Sequence, residues 1–314
     1  MISRRLLRIK VMQGLYALEF NPDVPVSNIN ATLTQSVKDT YKLYLCMLNS
    51  IREVANYVWD YKTMVDGKYI KSEEEIKVTT NIAETTFIKQ LNNNSTLKKL
   101  FENGKITSYV EKSTIKNLFY ELKKEKEFKD FSQEPHNINH EKRLFRILFK
   151  KVILKSDLFI SQLEEYFPTW PDDTNSVINM TMATINEFYK LEQPEIEKCL
   201  SPVKWDEISK FASDLFLKYI SNQEELKDLV VPVLNNWAAD RTNKLDMIII
   251  KMALIELLYF PNVPVKVSIN EYIEISKQYS TPKSKEFING VLDTLLKKLK
   301  RQNKINKTGR GLVE

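Results

Sequence analysis

Between Leu245 and Phe260 the chain turns almost no polar side outward. Read as a helix, this segment is apolar nearly all round, so it has to be covered by other elements on every side. The greasy stretch from Met247 to Phe260 is too short to cross a bilayer, and Lys251 and Glu256 interrupt it. That leaves a central helix in a bundle. The glycine count agrees: six in 314 residues is about a third of the ordinary share of roughly 7%. Such scarcity opposes all-β architectures and Gly-rich phosphate loops. Two lone cysteines give neither a disulfide framework nor a cysteine zinc site, and suit a reducing cytoplasm. An all-α fold is expected.

Other segments carry the same period. Residues 3–20 predict a helix with one stripe of Leu7, Val11 and Leu18 and another of Ile9, Met12, Tyr16 and Phe20. Asn21-Pro22-Asp23-Val24-Pro25 ends it. Residues 36–65 predict a long helix with Val37, Tyr41, Tyr44, Leu48, Ile51 and Val58 on its apolar face. Residues 66–140 are polar, with short helical pieces around 83–91, 97–102 and 111–128, and Ser132 to Asn139 reads as a loop. Ser268-Ile269-Asn270-Glu271 has the spacing of a capping box. Thr281-Pro282 reads as an N-cap with proline in the first turn. Residues from 302 on lose the apolar pattern and read as a mobile tail.

An internal echo runs at an offset of 67 residues. Leu148-Phe149 matches Leu215-Phe216, Lys151 matches Lys218, Ile153 matches Ile220, and Met180 matches Met247. Trp170 and Trp237, each in Trp-x-x-Asp, share the offset with Asp173 and Asp240. Both Leu-Phe pairs are expected to open amphipathic helices. The unit reads as helix–helix–turn–helix, present twice, with its tryptophans in equivalent buried places.

No nucleotide-binding glycine motif, no G-x-S-x-G and no H-E-x-x-H is present. His136 and His140 are spaced as two ligands could be, but in a loop-like context without a third. No catalytic residue, metal or cofactor is expected. Formal charge is +6, too mild to prove a nucleic-acid partner, so its distribution matters more. Arg4, Arg5 and Arg8 cluster on the first helix, where arginine forks suit phosphates or ion pairs at a core edge. Lys277, Lys283, Lys285 and Phe287 form a second basic group with an aromatic.

Both ends of the chain resemble the NusB family of bacterial transcription antitermination factors. Arg4-Arg5-Leu6-Leu7-Arg8 followed by Gln13-Gly14-Leu15-Tyr16 is similar to the family's arginine-rich first helix. Asp246 to Leu258 resembles its acidic-apolar-basic helix. Val263-Pro264-x-Lys266-Val267-Ser268-Ile269-Asn270-Glu271 and Ser284-x-x-Phe287-x-Asn289-Gly290-Val291-Leu292 are similar to its C-terminal signature.

The resemblance implies an arginine helix packed on a C-terminal bundle and no enzymatic activity. It implies pairing with NusE, a small-subunit ribosomal protein, on single-stranded boxA-type leader RNA of ribosomal RNA operons, within the RNA polymerase antitermination complex. On that basis the RNA face comprises Arg4, Arg5 and Arg8, with Tyr16, Lys283, Ser284 and Phe287. Asp246 and Lys251 match charged positions near which NusE docks. Phe287 is open between stacking on a base and core packing. Leu6 stands where the family has a third basic residue, and Lys283 where an acidic one can occur. The chain is about twice the usual family length. The expected organisation is an N-terminal helix (1–20), a helical and partly duplicated insertion (21–205), a C-terminal bundle (206–300) and a basic disordered tail (301–314). The rival readings are a helical scaffold in ribosome assembly and an accessory to an RNA-modifying enzyme.

Overall fold

The computed structural model describes residues 2–133, 137–200, 205–234 and 243–308. Among them there are helices and no strands. None of the helices is long and apolar enough to cross a membrane. The helices are α1 (Arg4–Phe20), α2 (Val26–Asp66), α3 (Glu73–Lys77), α4 (Asn81–Glu84), α5 (Thr86–Asn93), α6 (Ser95–Gly104), α7 (Lys112–Leu122), α8 (Lys126–Gln133) and α9 (Ile138–Ile147). After a π-turn at Leu148–Val152 and a 3-10 turn at Ile153–Lys155 come α10 (Asp157–Tyr166), α11 (Trp170–Phe188) and α12 (Ile196–Cys199). The series closes with α13 (Trp205–Ser221), α14 (Gln223–Leu234), α15 (Lys244–Tyr259), α16 (Val265–Tyr279) and α17 (Ser284–Arg301).

The chain divides into two compact units. One comprises Met1–Ile2 and Lys38–Val203, the other Ser3–Val37 and Lys204–Glu314. The first unit is built on aromatic layers. Phe87 meets Phe145 and Phe188 at ring separations of 5.1 and 5.0 Å, and Phe119 meets Tyr61 and Phe128 at 5.3 and 5.8 Å. The Tyr44 hydroxyl lies 2.6 Å from that of Thr184, which gives a buried polar group its partner. Burial pushes the Cys46 thiol well up and the Cys199 thiol to about 11, so neither is a ready nucleophile.

The second unit is discontinuous in sequence. α15 is its axis, in contact with α1, α13, α14, α16 and α17, the enclosure its all-round apolar surface requires. α1 packs on α13, α15 and α16, as the two apolar stripes predict. At Gly14 of α1 a Cβ would stand 3.3 Å from Ile29 Cγ2 of α2 and 3.8 Å from Phe216 Cε2 of α13.

Several boundaries differ from the sequence reading. α2 begins at Val26 rather than 36. Its first two turns, rich in Ser, Asn and Thr, hide the period because such side chains compete for backbone hydrogen bonds. α16 begins at Val265, so Ser268 lies inside the helix and is no cap. α17 begins at Ser284, with Lys283 as its cap instead of Thr281. Beyond the last helix, Lys307 Nζ donates to the carbonyls of Glu256 and Phe260 at 2.9 and 3.0 Å, and the Thr308 amide to Pro261 at 3.0 Å. These two residues of the expected tail are therefore fixed.

The 67-residue echo has a structural counterpart. Shifted by that amount, α9 with its two turns falls on α13, α10 on α14, and the later part of α11 on α15. Phe159 and Leu226, Leu163 and Val230, and Ile185 and Met252 are matching pairs, all fully buried. The Leu-Phe pairs do not open helices, however. Leu148-Phe149 lies where α9 passes into the π-turn, and Leu215-Phe216 lies well inside α13. Trp170 opens α11 and is buried; Trp237, Asp240 and His136 lie outside the described residues.

Candidate nucleic-acid interface

Ser3 caps α1 by accepting the Leu6 amide at 3.2 Å. This places three arginines in the first turns. Their fates diverge by angle. Arg8 points inward and is 1% exposed. Its Nε and Nη2 form a fork on the Glu256 carboxylate at 2.8 and 2.7 Å. Glu256, fully buried in α15, also accepts from Ser268 Oγ at 2.6 Å and from the Tyr272 hydroxyl at 3.2 Å. The guanidinium carbon sits 5.6 Å from the centre of the Phe211 ring and 5.7 Å from that of Tyr272. Burial works to lower the Arg8 pKa, but the hydrogen bonds and charge of Glu256 outweigh it and hold the group above its ordinary value.

Arg5 points outward. It forks onto Glu271 of α16 with two contacts of 2.8 Å, and its side chain stays 46% exposed. Its hydrogen bonds and charge, with the charge of Arg8, hold the Glu271 carboxyl below the usual range. Arg4 is exposed with its guanidinium 5.4 Å from the Phe211 ring centre. Near this pair Glu274 bonds to Lys277 and lies within the field of Arg5 and Lys285. Arg4 and Arg5 on α1 and Lys277 on α16 thus supply exposed cations, and Lys283 and Lys285 are exposed at the start of α17.

The remaining expected site residues go elsewhere, each for a physical reason. Arg8 is removed from the RNA face because a buried guanidinium already matched by a carboxylate has no edge left for phosphate. Ser284 is buried and donates to Asp246 Oδ2 at 2.7 Å. Phe287 is 5% exposed on the inner side of α17 with Val291 and Leu295, which decides for core packing over base stacking. Asp246 is 2% exposed and accepts from Ser280 as well as Ser284. It fastens the start of α17 and presents no charge to a partner. Lys251 is half-buried, with Nζ 3.2 Å from Gln223 Oε1. Tyr16 pairs with Phe20 at 4.7 Å, beside Lys244. It lies eleven residues from Arg5, roughly 16 Å along the helix. Ile9 and Met12, buried on the same side, separate the two.

The sequence reading had no place for Glu256, Tyr272 or Phe211 in this arrangement. Glu256 carried a signal: a lone carboxylate in an otherwise apolar helix has to find a cation inside. Phe211 carried none.

A model of the NusB family matches residues 180–297. The transcription antitermination protein NusB of Listeria innocua serovar 6a is 36% identical over 103 residues, which cover 33% of this chain and 80% of that protein. The chain belongs to the NusB family. The transcription antitermination proteins NusB of Salinibacter ruber and Chloroherpeton thalassium are 45% and 39% identical, again over 33% of this chain. The chain spans 64% and 51% of those two proteins. No solved structure matches. The NusB match begins within α11 and ends within α17, so α1 lies outside it. The arginine helix joins the NusB domain through packing and the Arg8–Glu256 fork.

Proposed function

We propose that this chain is a non-enzymatic RNA-binding transcription antitermination factor. In this reading it acts in the cytoplasm with NusE on single-stranded boxA-type leader RNA of ribosomal RNA operons. The expected insertion, 21–205, narrows to the residues between Val37, the end of the N-terminal part of the second unit, and residue 180, where the NusB match begins. It interrupts a bundle formed by α1 and the C-terminal helices. The observation that carries the reading is the set of exposed cations on α1, α16 and the start of α17, attached to a domain whose relatives are named antitermination proteins. Single-stranded RNA is taken by cationic surfaces that follow its backbone, and guanidinium groups suit both phosphates and base faces. The RNA contacts are Arg4, Arg5 and Lys283, joined by Lys277 and Lys285. Of the two charged positions assigned to NusE docking, Lys251 stays a candidate and Asp246 does not.

The test is anisotropy of a labelled boxA-type RNA against the chain, with and without NusE, over a salt series. Arg4→Ala and Arg5→Ala should each flatten the slope of log K on log salt by roughly 0.7. Glu271→Gln, which releases Arg5, should tighten binding. Absence of RNA affinity at low salt, alone and with NusE, refutes the reading and favours the ribosome-assembly scaffold.

A further inference from the structure

α9 and the π-turn behind it carry a second cationic surface, inside the first unit. Lys142, Arg143, Arg146, Lys150 and Lys151 recur at three- and four-residue steps, the spacing of one helix stripe. Phe145, Leu148, Phe149 and Val152 fill the opposite side and are buried. The stripe, with Asn139 and Ile147, lines an open groove of about 560 Å³. Glu127 holds Arg143 at 2.9 Å, and Glu125 lies 3.8 Å from Lys151. Among the described residues Arg146 and Lys150 have no carboxylate partner, and both are exposed. From Lys142 to Lys151 the stripe runs roughly 14 Å, enough to follow several successive phosphates.

α13, which falls on α9 and its turns at the 67-residue offset, forms a helix without most of these charges. At the 67-residue offset, Lys142, Arg146 and Lys150 become Ser209, Ser213 and Leu217, and only Lys210 and Lys218 stay basic. In that copy Ser213 Oγ donates to Asn30 at 3.1 Å, so the equivalent position is a packing contact. Leu217, at the position of Lys150, is exposed without a charge, so exposure on this face of the helical frame does not by itself demand a cation. Helix-end electrostatics account for Arg146 in the last turn of α9 but not for Lys142, which lies in its first half. The concentration of basic residues in a π-turn, a helix irregularity found frequently at functional sites, points the same way.

The geometry points to a second nucleic-acid site: the groove along α9 binds the phosphate backbone of single-stranded RNA through Lys142, Arg146 and Lys150. A row of cations at near-regular intervals along α9 and its π-turn matches a polyanion of evenly spaced charges. The site rests on the proposed RNA function for the identity of the strand and adds a contact on the insertion. It would engage RNA beyond the segment held by α1 and α16.

The experiment uses the full chain and two labelled single-stranded RNAs, boxA-type alone and boxA-type with its flanking leader. Arg146→Glu with Lys150→Glu should weaken binding of the longer RNA more than tenfold at low salt, flatten its salt slope by roughly 1.4, and affect the short RNA less. Arg146→Lys with Lys150→Arg should keep the slope. Circular dichroism should be unchanged, because both side chains are exposed. Unaltered binding of the longer RNA by the charge-reversed variant overturns the second site. If Arg4→Ala with Arg5→Ala still weakens binding, the proposed function stands without it. The reverse pattern keeps the α9 site and removes the one on α1. Weaker capture of polyglutamate with unchanged RNA affinity would assign the groove to acidic protein instead, and absence of RNA binding by the wild-type chain overturns both sites.

Discussion

Replacing Glu256 with Gln tests the internal brace between α1 and α15. The carboxylate is fully buried and meets Arg8 in a two-pronged contact at 2.8 and 2.7 Å. Its neutral replacement leaves a guanidinium in the core with one carboxylate nearby, Glu271 at 3.7 Å. Breaking such a pair from one side costs about 3–5 kcal/mol. The residual attraction of Glu271 places the expected loss at the lower end, near 3 kcal/mol. At about 1.4 kcal/mol per decade, amide protection along α15 should fall by roughly two orders of magnitude. Hydrogen exchange is the appropriate assay, because it reads this unit separately while global melts mix two. Arg8→Met removes the other partner. The double variant, with no unpaired charge, should recover about 2 kcal/mol or more of the summed losses. A loss under about 1 kcal/mol for Glu256→Gln, or strict additivity in the cycle, refutes the brace.

Phe287→Ala should destabilise the second unit by about 3–5 kcal/mol through the cavity it leaves, read by hydrogen exchange in α17, while the salt slope of RNA binding stays unchanged. Lys307 is half-buried, and burial lowers its pKa to about 8 despite the charge of Glu256. The unfolded chain keeps that proton until about 10.4, so it binds more protons between the two values and this group makes stability rise with pH there. A lysine side-chain NMR titration should show a midpoint near 8 that Lys307→Met abolishes; a midpoint above 10 would place the side chain in water.

The central apolar helix and the packing of α1 on the C-terminal helices were legible because each rests on periodicity alone. Angles around a helix were less so. Arg4, Arg5 and Arg8 look equivalent in sequence, yet whether each faces Glu256, Glu271 or water depends on how α15 and α16 approach. Ser268 and Glu271 satisfy the capping pattern, but Val265 starts the helix earlier and both side chains serve the charge network instead. Ser284 and Asp246 looked like surface groups until the turn before α17 brought them together. In α9 the cations were visible one by one. That they share an open groove follows from Phe145 and Phe149 taking the other side.

The second unit takes its first helix from one end of the chain and its axis from the other. On a ribosome, Arg8 emerges 248 residues ahead of Glu256. At about 5–20 residues per second, the wait is roughly 12–50 s. For that interval α1 exposes two apolar stripes with no partner, while Lys38–Val203 is made in full and can close on its own core. The nascent chain therefore passes through a stage in which one unit is finished and the other is represented by an adhesive leading segment. Chaperone demand should peak at that stage and fall once α15 has left the exit tunnel.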